Sequence, residues 1–230
     1  MSVGGAWVKC MRAAVIGLGV IVAIGAAMTD AMAQAGKPIK IVAFGDSLTA
    51  GYMLAPSEAF PVVLGKALQA RGHAVEVINA GVSGDTTSAG RDRLGWAVPA
   101  DADAVILELG ANDGLRGLDP VAAKRNLEAI IQTLMAQKAV ILLAGMRAPR
   151  SMGDTYTTAF DAIFPELAAK YGLVLYPLFI EATALKPNLS LADGLHPNAK
   201  GVQAIVAGIL PDVEAVIARV TARRGQPAKG

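Results

Sequence analysis

The chain has 230 residues, with 21 Lys and Arg against 19 Asp and Glu, a formal charge of +2 at pH 7. The basic residues form no cluster or stripe, which argues against a nucleic-acid surface. With Cys10 as the only cysteine, an intramolecular disulfide and a multi-thiolate metal site are excluded.

The first segment differs from the rest. Lys9 and Arg12 precede an apolar run from Ala13 to Met28, and Ala31-Met32-Ala33 supplies a small-x-small site before Gln34. A basic start, a short apolar core and an A-x-A site have the form of a secretory signal peptide. The alternative, a membrane anchor, needs roughly 20 apolar residues, more than this run offers. We therefore expect a signal peptide over 1–33 and one domain over 34–230, periplasmic or secreted, with Met11 as an alternative start. Cys10 precedes the apolar core, where a lipidation cysteine would follow it, so no stable membrane anchor is expected after removal. Cleavage takes away Lys9, Arg12, Asp30 and Cys10, leaving a formal charge of +1 and no thiol nucleophile.

Beyond Ala33, short apolar runs alternate with longer amphipathic ones. Strands are expected at 39–44, 74–79, 104–109, 139–144 and 173–178. The third and fourth are almost wholly apolar, as strands buried on both faces are. Helices are expected at 60–70, 85–97, 120–137, 157–171 and 197–220. Arg71-Gly72 and Gly172 act as stops, and Asp119-Pro120 as a cap followed by proline at the first helical position. This alternation predicts parallel β-α-β units in a three-layer α/β/α sandwich with a five-stranded parallel sheet. No internal repeat, low-complexity segment or linker marks a second domain.

Four polar clusters follow strands or open the last helix: Gly45-Asp46-Ser47-Leu48, the turn at Gly81, Gly110-Ala111-Asn112-Asp113, and Asp193-Gly194-Leu195-His196-Pro197. In an open parallel sheet these share the edge beyond the carboxyl ends of the strands, where ligands bind. Only His73 and His196 can serve as a histidine base. His73 sits at a helix-to-strand turn on the opposite edge and reads as a solvated turn residue. His196 has Asp193 three positions earlier. A hydroxyl nucleophile needs a base, and the base needs a group that fixes its tautomer. Asp193 fits that role and fits equally a loop cap on backbone amides; the two are compatible. Ser47, in a turn bounded by Gly45 and Gly51, is the candidate nucleophile, with Ser83, Thr86, Thr87 and Ser88 as competitors near the same edge. The Ser47 amide, the Gly81 amide and the Asn112 side chain can supply donors to an oxyanion.

These clusters resemble the SGNH or GDSL hydrolases. The matching stretches are Phe44-Gly45-Asp46-Ser47-Leu48-Thr49, Asn79-Ala80-Gly81-Val82-Ser83-Gly84, Gly110-Ala111-Asn112-Asp113 and Asp193-Gly194-Leu195-His196-Pro197-Asn198, four blocks in order across nearly the whole chain after Ala33. The resemblance implies a flavodoxin-like fold. It also implies Ser47 as nucleophile, Asp193 and His196 as the rest of a triad, and Ser47, Gly81 and Asn112 as an oxyanion hole. It is nearest to the bacterial periplasmic acyl-CoA thioesterase/lysophospholipase and arylesterase branch, and Ala159 to Pro165 and Leu185-Lys186-Pro187 add to that likeness. The substrate it implies is a small-molecule acyl ester or thioester. Deacetylation of a carbohydrate or cell-envelope polymer is the alternative, and a non-catalytic binding protein a further one. Met146, Met152, Tyr156 and Leu189 are candidates to line an acyl groove, or else ordinary packing. Neither a metal nor an organic cofactor is expected, because the acidic residues lack ligand spacing and no phosphate-loop pattern occurs.

Overall fold

A computed structural model describes residues 36–225; the expected signal segment, 1–33, lies outside them. The unit Pro38–Val220 holds the sheet and nearly all of the helices. Outside it, Arg224 Nη1 donates to the Lys37 carbonyl at 2.7 Å.

Five parallel strands form one sheet: β1 (Ile39–Gly45), β2 (Val75–Gly81), β3 (Ala104–Glu108), β4 (Val140–Ala144) and β5 (Val174–Tyr176), in the spatial order β2-β1-β3-β4-β5. The helices are α1 (Ser47–Ala50), α2 (Phe60–Ala70), α3 (Thr87–Ala97), α4 (Ala111–Leu115), α5 (Pro120–Ala136), α6 (Asp154–Asp161), α7 (Ile163–Tyr171) and α8 (Ala199–Arg224). The expected fold class and all five strands are thus present. The central strands are mostly apolar because both faces are covered; every residue of β3 is buried, the terminal Glu108 included. The edge strand β2 is more open, with only Val75 buried and with Glu76 and Asn79 exposed.

Two differences from the sequence reading have physical causes. The helix expected at 157–171 is two helices. Proline has no N–H to continue an i→i−4 ladder, and Pro165 stands where α7 would have to bond back to Asp161, so α6 stops there. The last helix begins at Ala199, where Asn198 Oδ1 accepts from the Gly201 amide at 3.0 Å, a cap on the order of 1 kcal/mol. It is long and apolar enough to cross a membrane by length and composition. Its buried residues Val202, Ile205, Val206, Ile209, Val213, Val216, Ile217 and Val220 instead recur at helical spacing on one face toward the core.

The strand order sets the site. The chain runs from β1 outward to β2, then returns across β1 to β3. The carboxyl ends of β1 and β3 therefore flank the topological switch point, where such sheets leave a crevice.

Candidate active site

The turn after β1 is built by contacts that permit little variation. A Cβ on Gly45 would lie 2.2 Å from Thr49 Oγ1 and 2.4 Å from Glu108 Oε2, so only glycine fits. Asp46 caps α1 by accepting from the Leu48 amide at 3.0 Å, and Ser47 takes the first helical position. Its amide is one of the donors that a helix start leaves without an intrahelical partner. A Cβ on Gly81 would meet the Ala50 nitrogen at 2.3 Å and the Asp46 carbonyl at 2.9 Å. The end of β2 thereby lies directly against the Ser47 turn.

His196 reaches this turn from the loop before α8. Its Nε2 is 2.8 Å from Ser47 Oγ, and its Nδ1 is 2.7 Å from Asp193 Oδ2. A carboxylate only accepts, so Nδ1 carries the proton and Nε2 presents its lone pair to the serine hydroxyl. Asp193 Oδ1 accepts from the amides of Leu195 at 2.9 Å and His196 at 3.0 Å. Asp193 therefore caps the loop and orients the imidazole together. The His196 amide, the Leu195 amide and then the His196 ring hold its carboxyl down to about 2. The loop is fixed further by the Leu191 amide donating to the His196 carbonyl at 2.8 Å and by Asn198 Nδ2 donating to the carbonyls of Asn188 and Ser190. Tyr52, just past α1, places its ring 4.5 Å from the His196 ring.

Three of the competing hydroxyls, Thr86, Thr87 and Ser88, are engaged elsewhere. Thr87 is buried and bonds Asp113 through Oγ1 and its amide, at 2.7 and 2.8 Å. Thr86 caps α3, and Ser88 accepts from Arg91. His73 is not simply solvated, because it pairs with Glu214 at 3.0 Å beside Arg71; it lies at the opposite edge from Ser47.

Both further oxyanion candidates border the Ser47 turn, with their hydrogens committed to protein acceptors. The Gly81 amide donates to Asn79 Oδ1 at 3.0 Å. Asn112 Nδ2 donates to Asp46 Oδ2 at 3.2 Å and to the Asp85 carbonyl at 3.0 Å, while Arg116 donates to Asn112 Oδ1 at 3.2 Å. The groove candidates are more scattered. Met146 is buried in the core, Met152 lies near Gly117, and Leu189 is half-buried on the His196 side. Tyr156 donates to the Leu118 carbonyl at 2.8 Å and stacks on Phe160. A cavity of about 500 Å³ lined by Leu185, Pro187, Leu191 and Gly194 flanks the His196 loop.

Sequence reasoning assigned no role to the polar groups beneath the serine. Asp46 is wholly buried, and burial first of all pushes its carboxyl up to about 6. Arg93 pairs with Asp85 at 2.5 Å, donates to the Gly45 carbonyl at 2.8 Å and covers the Phe44 ring. Glu108 is buried at the end of β3. Its signal was visible as the one charged residue inside an apolar strand, but the sequence does not name its partners. Among the described residues no group of acidic, His or Cys side chains has the form of a metal site.

The chain matches the GDSL-like Lipase/Acylhydrolase family over residues 43–204. It is 40% identical over 159 residues to the Thioesterase 1/protease 1/lysophospholipase L1 of Escherichia coli (strain K12), covering 69% of this chain and 75% of that protein. It is 39% identical over 170 residues to an arylesterase of Vibrio mimicus, covering 74% of this chain and 84% of that protein. Among solved structures, the SGNH-hydrolase family esterase AlinE4 superposes with a TM-score of 0.67 at 45% identity, covering 79% of this chain and 98% of that one.

Proposed function

The chain belongs to the GDSL-like lipase/acylhydrolase family, and on that basis we propose that it hydrolyses carboxylic esters and thioesters through an acyl-enzyme on Ser47. The observation that carries this reading is the hydrogen-bonded line Ser47 Oγ–His196 Nε2 at 2.8 Å and His196 Nδ1–Asp193 Oδ2 at 2.7 Å.

In the proposed mechanism, Ser47 Oγ attacks the acyl carbon while His196 Nε2 takes the hydroxyl proton. Asp193 holds the resulting imidazolium through Nδ1–H. The carbonyl oxygen becomes an oxyanion, which takes the Ser47 amide and draws the Gly81 amide and Asn112 Nδ2 away from their present acceptors. Collapse expels the alcohol or thiol, which takes its proton from His196. Water then attacks the acyl-Ser47 carbonyl, again giving its proton to His196, and the acid leaves with Ser47 restored. No metal or organic cofactor enters these steps. Met146, Met152, Tyr156 and Leu189 are the candidates for walls around the acyl chain.

The names of the relatives, a thioesterase/lysophospholipase and an arylesterase, support a small-molecule acyl ester or thioester as substrate. We also propose export, with a mature N-terminus at Gln34. N-terminal sequencing checks this, and an intact Met1 or Met11 on exported protein refutes it. The function itself is tested by hydrolysis of p-nitrophenyl acyl esters. The wild-type chain turns them over and folded Ser47→Ala does not; equal rates for the two would overturn the reading.

A further inference from the structure

The carboxyl of Glu108 is the least expected group near the site. It ends a strand buried on both faces and has no solvent exposure. Its two oxygens differ sharply. Oε2 accepts from the Asp46 amide at 3.2 Å and from Thr49 Oγ1 at 2.6 Å. Oε1 is buried and has no hydrogen-bond partner among the described residues. An ionised carboxylate spreads its charge over both oxygens, and a buried charged oxygen without a donor is very costly. A neutral carboxylic acid meets the asymmetry at lower cost: its carbonyl oxygen takes the donors, and the unpartnered oxygen carries an uncharged hydroxyl in place of a charge.

The neighbouring carboxyl shows the opposite pattern. Asp46 has donors on both oxygens, the Leu48 amide on Oδ1 and Asn112 Nδ2 on Oδ2. Two carboxyls this close do not both ionise readily, and the donors favour Asp46 as the one that does.

We infer that Glu108 is a positioning residue that works as an uncharged acid, gripping Asp46 and Thr49 on either side of Ser47 to fix the nucleophile's turn. Remaining neutral, it leaves Asp46 as the single anion that holds Asn112. Burial first, and the Asp46 charge second, push the Glu108 carboxyl well above its ordinary value. The other titratable groups facing Asp46 are His196, which favours its ionisation when protonated, and Asp85, which opposes it; Arg93 is engaged with Asp85 and the Gly45 carbonyl. This inference rests on Ser47 being the nucleophile, as proposed above.

The test uses the whole chain and the variants Glu108→Gln, Thr49→Val and Thr49→Ser. Glutamine keeps the accepting carbonyl and replaces the hydroxyl with an uncharged amide. Glu108→Gln should fold and keep kcat within about threefold, with KM unchanged. Thr49→Val removes one donor and should lower kcat roughly tenfold at constant KM, with Thr49→Ser restoring it.

Two readouts do not depend on turnover. At neutral pH the infrared difference between wild type and Glu108→Gln should show the carbonyl stretch of a protonated acid. Stability against urea gives the second. A carboxyl whose folded value is raised binds its proton more tightly in the folded chain, so its contribution falls as pH rises above the ordinary value. Glu108→Gln lacks that fall and should gain on wild type as the pH increases.

A Glu108→Gln variant that fails to fold, or folds with kcat down more than about tenfold, overturns the neutral-acid assignment. An infrared carboxylate band at Glu108 overturns it also. A folded Thr49→Val with wild-type kcat overturns the positioning role, and so does a lower kcat that Thr49→Ser fails to restore. If Thr49→Val does not fold, Thr49→Ser alone must keep wild-type kcat, and a loss there counts against the role. Fluorophosphonate labelling of Ser47 distinguishes the two failures: it persists if only the Glu108 assignment is wrong, and is absent if the nucleophile is wrong.

Discussion

Two carboxylates serve the same serine from opposite kinds of surroundings. Asp193 stands on the last loop with its side chain 37% exposed, held by two amides and the His196 ring, and its carboxyl is pulled down to about 2. Asp46 lies beneath the serine with no exposure, and its carboxyl is pushed up to about 6. The residue type is the same; the donors and the exposure to water are not. On the loop, short-range hydrogen bonds keep a solvated group ionised down to about pH 2. Under the sheet edge, burial opposes each charge, so Asp46, Glu108, Asp85 and Arg93 must share charges, protons and donors. The loop region thus carries proton chemistry, while the buried region holds geometry.

The comparison breaks most visibly at the loop. His196→Ala should lower kcat by roughly 10⁴-fold or more, because the serine loses its base. Asp193→Asn keeps the shape but removes the charge that fixes the tautomer, and should cost about 10³-fold, below the scale for a fully buried partner. The double variant should be no worse than His196→Ala alone; kcat values on folded proteins check this, and multiplied losses would separate the two residues.

Asn112 belongs to the buried region, since its amide donates to Asp46 beside the Ser47 turn. Asn112→Ala should lower kcat by roughly 100- to 1,000-fold with little change in KM, the scale of one lost oxyanion donor. A raised KM with intact kcat would move Asn112 to substrate binding.

The smallest expected effect is on stability in acid. Asp193 has a folded value below its unfolded one, so its contribution is present above about pH 4 and fades as the pH falls toward about 2. Asp193→Asn should therefore show a flatter loss of urea resistance across that window than wild type. Identical slopes would mean that the loop hydrogen bonds persist without the charge.

Much of the exposed region was legible in the sequence. His196 stands out because only two histidines can act as base and this one lies beyond the strand ends with Asp193 three positions earlier, whereas Ser47 was one of five candidate hydroxyls and only the four-block family resemblance singled it out. The strands were legible because apolar runs with turn signals leave little choice. Less of the buried region could be read. Glu108 stands out inside Ala104-Val105-Ile106-Leu107, but its partners follow from the β1–β3 register, which sets Gly45 opposite Glu108. No local pattern encodes that pairing across 62 residues. The Asp85–Arg93 pair likewise depends on α3 turning Arg93 inward. The break between α6 and α7 was written in Pro165, yet the continuous apolar spacing around it read as one helix.

The central claim is that His196 and Asp193 activate Ser47 and no other hydroxyl. A fluorophosphonate probe with peptide mapping tests it most directly. The wild-type chain should carry the label on Ser47 alone, His196→Ala should lose nearly all of it, and Glu108→Gln should keep it. Labelling at Ser83, Thr86, Thr87 or Ser88, or undiminished labelling of Ser47 in His196→Ala, would contradict the account.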